Sequence, residues 1–145
     1  MYNGLLHLHN VMRWVILLLL LIALFQSFSR SSSVRQTSLW LLISAHITFV
    51  IGIYQWFAGD LGWKMIQNSG FSHVMKSAGA RFFAIEHPVG MLFGIILITV
   101  ARGKVKEGRL SSAAWIYLIA LVIILLVVPW PFREGVGRPW FPGIK

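Results

Sequence analysis

The sequence predicts an all-α integral membrane protein: an up-and-down four-helix bundle with a short interfacial helix between the second and third spanning helices. Three observations lead there. Of 145 residues, 57% are hydrophobic and 12% charged, about half the charged share of an ordinary soluble domain. Mean hydropathy is +0.75 and one apolar run extends unbroken from Trp14 to Phe25; a chain this short has too much surface to hide so many apolar side chains in a soluble core. Four stretches approach the about 20 residues a helix needs to cross lipid, where each span must satisfy its own backbone polar groups. They cover residues 5–28, 38–57, 81–101 and 113–130 of a single membrane domain, 1–145.

The most apolar part of the first span, residues 14–28, would cover only about 22 Å at about 1.5 Å per residue, so the helix must reach back through Arg13, His9 and His7. No positive charge other than Arg13 precedes that stretch, so it is expected to be retained as a span. In the second span His46 lies in mid-stretch beside Ile43, Phe49 and Val50. The link 58–80 carries an Asn68-Ser69-Gly70 turn signal, after which Phe71, Val74, Met75, Ala78 and Phe82 repeat at helical spacing, as expected of a helix lying on the membrane surface. A third span starting at Pro88 would leave 14 residues to Ala101. The helix is therefore predicted to begin near Arg81, with Glu86 and His87 inside it and a kink at Pro88 that frees a carbonyl near Ala84. The fourth span has no ionisable Asp, Glu, His, Lys or Arg and reads as a wall or an oligomer contact; the aromatic Pro129-Trp130-Pro131-Phe132 stretch after it reads as an interface anchor.

Net charge is +9, but the basic residues sit between apolar runs and form no nucleic-acid-binding face. Residues 29–37 and 102–112 hold six positive charges in 20 residues, against five over the 42 residues of the N-terminus, the link and the tail, which include Lys145. That contrast places the two short loops in the cytoplasm and both termini outside. Zero Cys excludes disulfides, cysteine-ligated clusters, thiolate zinc and thioether-attached haem.

Candidate chemistry lies in the ionisable residues at membrane depth, which are costly there and tend to face an interior cavity or cofactor. His9, His46, Glu86 and His87 are such residues, brought by the first three spans toward the outer half of the bundle. Two neutral imidazoles on different helices suit axial ligation of haem b. Gly90 and Gly94 follow His87 on nearly one face and would admit a flat macrocycle, while Arg13, Arg81 and Arg133 lie where propionates need partners. The same glycines equally suit close helix packing. A different reading is a copper, zinc or iron ion held by His9, His46, Glu86 and His87. A third is a cofactor-free accessory subunit whose polar residues form a packing network.

The opening Gly4-Leu5-Leu6-His7-Leu8-His9 with Arg13-Trp14, the Ala45-His46 pair with Gly52 and Tyr54, and Arg81-Phe82-Phe83-Ala84-Ile85-Glu86-His87 with Met91 resemble a family of small four-helix bacterial membrane proteins classed as b-type cytochromes. The Ile98-Thr99-Val100-Ala101-Arg102 run and the Pro129-Trp130-Pro131-Phe132 ending extend the resemblance over nearly the whole chain; Thr48 departs from it, where a Gln is usual. The resemblance implies a multi-pass protein of the bacterial inner membrane and His9, His46 and His87 as the functional histidines. Three histidines compete for two axial positions, and the pairs His9 with His87 and His46 with His87 both remain open, the third imidazole being left for a propionate or a quinol proton. The expected partners are the lipid bilayer, a quinone, a redox partner and a second copy of the chain.

Overall fold

The structure is a computed structural model describing residues 2–141; Lys145, counted above among the outer charges, lies outside the described residues. Its elements are helical throughout: α1 (Tyr2–Phe28), α2 (Val34–Ala58), α3 (Trp63–Ser69), α4 (Phe71–Lys76), α5 (Ala78–Arg81), a π-helical segment (Phe82–Glu86), α6 (His87–Lys106) and α7 (Leu110–Val127). Four stretches, Tyr2–Phe28, Val34–Ser69, Ala78–Lys106 and Leu110–Val127, are long and apolar enough to cross a membrane.

Helix α1 packs against α2 and α7, and α6 packs against the same two, so the four long helices close a ring with α1 and α6 on one diagonal. Close approach comes from small residues: Ala23, Ala45, Ala101, Ala113, Ala114 and Ala120 are all fully buried. Leu20, Leu41, Ile98, Tyr117 and Ile124 fill the space between them. The outer surface is as apolar as the interior, with Leu18, Phe25, Val50 and Leu126 all at least 60% exposed. Such a surface matches a hydrocarbon solvent rather than water.

The boundaries differ from the expected ones for local reasons. Helix α6 runs on to Lys106, because Lys104 and Lys106 in its last turn suit the negative end of the helix dipole. Helix α7 stops at Val127 rather than Trp130 because Pro129 cannot continue the hydrogen-bond ladder. The single interfacial helix expected after Gly70 is broken at Ser77, whose extended backbone and side-chain oxygen cap α5; α3 adds a further short helix before it.

At Pro88 the expected kink is a π-helical turn. The His87 N–H reaches back to the Phe82 carbonyl, five residues away. Pro88 has no N–H for the Ala84 carbonyl, and that carbonyl instead accepts the indole N–H of Trp56 at 2.9 Å. Trp56 of α2 thus supplies the donor that α6 lacks at Pro88. Trp56→Phe would leave this buried carbonyl unmatched and is expected to lower stability by about 1–3 kcal/mol. Adding Pro88→Ala, which restores a local donor, should recover part of the loss in a thermal-unfolding measurement in detergent.

Candidate functional site

The π turn swings His87 into the end of the bundle where α1 begins. Its Nδ1–H donates to the Val127 carbonyl at 2.7 Å. That carbonyl is free to accept because α7 ends there. Donation from Nδ1 fixes the neutral tautomer and leaves Nε2 as a lone-pair donor. Facing it across the diagonal is His9, with ring centroids 6.3 Å apart and planes crossed at 72°. Two imidazoles on opposite sides of one metal, each at about 2.0–2.1 Å from it, place their centroids roughly 6 Å apart. The pair therefore stands at the spacing of two ligands sharing one ion.

Helix α2 supplies the floor. The Nδ1–Cε1 edge of the His9 ring lies against Gly52, where an added Cβ would come within 3.2 Å of Cε1. Thr48, one turn earlier, is buried and bonds its own helix at Ser44. Three buried polar atoms at this end have no partner among the described residues: His9 Nδ1, Arg13 Nε and Gln55 Nε2. Gln55, three residues beyond Gly52, was not among the residues singled out from sequence, although an amide within an apolar span is the same signal as an imidazole there. Phe82 completes the surroundings, its buried ring 6.0 Å from His87.

Other expected members are placed elsewhere. His46 is exposed on the outside of the bundle and its Nδ1–H donates to the Leu42 carbonyl of its own helix at 2.8 Å. It precedes Gly52 by six residues, which is about 9 Å along the axis and roughly 120° around it, so it cannot join the pair. Glu86 also points outward and is held by Arg81, whose Nε lies 2.6 Å from its carboxylate. The four-residue metal set His9, His46, Glu86 and His87 is thus not assembled, and among the described residues no group of three or more His, Asp or Glu converges.

Gly90 and Gly94 face α7, not a slot. A Cβ at Gly90 would lie 2.3 Å from a Val127 methyl, and one at Gly94 2.8 Å from Ile124. Their missing side chains admit those of α7, which brings Val127 close enough for its carbonyl to hold His87. The arginines too are engaged by the chain. Arg13 donates to the carbonyls of Pro139 and Trp140 at 3.2 and 2.9 Å. Arg81 bonds Glu86 and the Met75 carbonyl. Arg133 caps α7 through Leu126 and stands over the Phe82 ring.

The tail forms a cover over this end. Trp14 donates its indole N–H to Trp140 at 2.8 Å and stacks on the rings of Trp140 and Phe141. As a fit for a bis-imidazole group, the donor pair and the unpartnered polar atoms agree, while the glycines and arginines expected to cradle the ring and its propionates serve helix packing and the cover. Comparison of the chain with protein-family models, with curated proteins and with solved structures finds no match.

Arg13→Gln would remove both tail bonds, whose loss is expected to cost about 1 kcal/mol at this partly exposed site. Release of the cover should shift tryptophan emission to the red as Trp14 and Trp140 become wetter; an unchanged spectrum would show that the Trp14 and Asn10 bonds and the ring stacking hold the tail without Arg13.

Proposed function

We propose that the chain is a membrane-embedded electron-transfer protein or subunit in which His9 and His87 would hold one haem b. The observation that carries this reading is the 6.3 Å spacing of the two rings across the bundle. It is supported by the Nδ1–H of His87 donating to a backbone carbonyl, the outer-sphere bond that orients ligating histidines and raises their basicity. Haem iron held by two imidazoles supplies reversible one-electron transfer. The chain's part is to hold both imidazoles neutral, orient the His87 ring through Val127, and keep water away with the tail cover. The resident membrane is the bacterial inner membrane, with both termini outside and a quinone as the reductant or oxidant on the membrane side.

Of the three histidines, the geometry favours His9 with His87 over His46 with His87. A single copper, zinc or iron ion between the same two rings is the non-haem form of this reading. A cofactor-free accessory subunit is the competing one, favoured by the filling of the Gly90 and Gly94 faces by Val127 and Ile124.

The visible spectrum of the purified protein, oxidised and then reduced with dithionite, separates them. Wild type and His46→Ala are expected to show the same sharp reduced α band, whereas His9→Ala and His87→Ala lose it with the bundle still folded. Retention of the full band in His87→Ala would refute the ligand assignment. A colourless wild type with a stoichiometric metal would select the non-haem form, and a colourless, metal-free one the accessory subunit.

A further inference from the structure

At the far end of the bundle from the histidine pair, two helices finish in the same way. Helix α1 closes with Ser31 N–H donating to Gln26 at 2.9 Å and Arg30 N–H to Ser27 at 3.3 Å. Helix α6 closes with Arg109 N–H on Lys104 at 2.9 Å and Gly108 N–H on Val105 at 3.1 Å. Both are Schellman caps, which require one residue in the left-handed region. In α6 it is Gly108 at φ 75°; in α1 it is Arg30 at φ 54°, the single non-glycine residue with positive φ among the described residues. Glycine adopts this conformation freely, whereas a residue with a Cβ is disfavoured there by contact of the Cβ with the backbone. A strained position that keeps a long cationic side chain suggests that the side chain is used.

Its surroundings indicate the use. Arg30 and Arg109 line one cleft of about 300 Å³ together with Gly108, Leu110, Ser111 and Ser112. Glu107 beside the cleft is shared between Lys104 at 3.0 Å and Arg109 at 3.7 Å. Lys104 holds that carboxyl below the usual carboxylate range, so it stays ionised and paired. Two arginines against one shared carboxylate leave the cleft with excess positive charge, and an anion with several acceptor oxygens suits them. Toward the middle of the bundle lie Phe28, two residues before Arg30, and Trp115, three beyond Ser112. Their rings meet edge to face at 5.7 Å and are 49% and 60% exposed. A cationic cleft is thus continued by an exposed aromatic surface along the α1–α7 seam, the polarity profile of a phospholipid.

We propose that this cleft binds the phosphate headgroup of an anionic phospholipid through Arg30 and Arg109, with Phe28 and Trp115 receiving the upper acyl chain. The strain at Arg30 makes the test specific in sign. The purified protein in neutral detergent is titrated with phosphatidylglycerol, with phosphatidylcholine and with inorganic phosphate, and the thermal-unfolding midpoint is read. Phosphatidylglycerol alone is expected to raise the midpoint. Arg30→Gly should leave the lipid-free midpoint equal or higher while weakening the phosphatidylglycerol response by about tenfold in concentration, the factor that about 1.4 kcal/mol represents. Arg109→Gln, which leaves the α1 cap untouched, should weaken the response similarly. The proposal is overturned if Arg30→Gly lowers the midpoint equally with and without phosphatidylglycerol, if Arg109→Gln responds as wild type, or if phosphatidylcholine or inorganic phosphate reproduces the full shift.

Discussion

A missing hydrogen at Pro88 organises the end of the bundle that carries the histidines. In apolar surroundings an unmatched backbone group is expensive, so removing one donor from a helix propagates until another element supplies it. Here the helix widens to a π turn, Trp56 of α2 takes the Ala84 carbonyl, and His87 emerges aimed across the bundle. Helix α7 ends at the level where its Val127 carbonyl can anchor that ring. Three helices are therefore tied to the position of one imidazole.

The other consequence is close packing of α6 on α7. Gly90 and Gly94 let Val127 and Ile124 sit against the backbone of α6, and this contact sets the distance over which the His87 bond forms. Small residues at helical spacing have two uses in membrane proteins, admitting a flat ligand or admitting a neighbouring helix. The second use does not remove these residues from the account of the site. It makes them the support of the His87 ring through Val127.

Much of this was legible from the residues. The four spans follow from hydropathy and length, and the freed carbonyl at Ala84 follows from the missing N–H at Pro88, because both are local chemistry. The outward rotation of His46 was not. Helix α2 is apolar on all sides, so hydropathy does not mark which face turns inward; the inner stripe mixes Val34, Leu41 and Ile51 with Ser38, Ala45 and Thr48, flanked by the half-buried Gly52 and Gln55, and His46 is displaced from it. Depth sets His9 beside His87 and helix adjacency sets His46 there, and neither carries the rotation about the helix axis that turns His46 outward. The roles of Arg13 and Arg81 were hidden for different reasons. Arg13 meets carbonyls 126 and 127 residues away, a contact without a sequence signal, while Arg81 finds Glu86 only because the π turn brings them to one side.

The central claim is that His9 and His87 hold one metal between crossed ring planes, and the electron paramagnetic resonance spectrum of the oxidised wild-type protein in native membranes tests it most directly. The 72° angle between the rings predicts a low-spin ferric signal of the strongly anisotropic kind that crossed axial imidazoles produce. A high-spin signal from iron with one axial ligand, or a low-spin signal of the parallel-ring kind, would contradict the pairing.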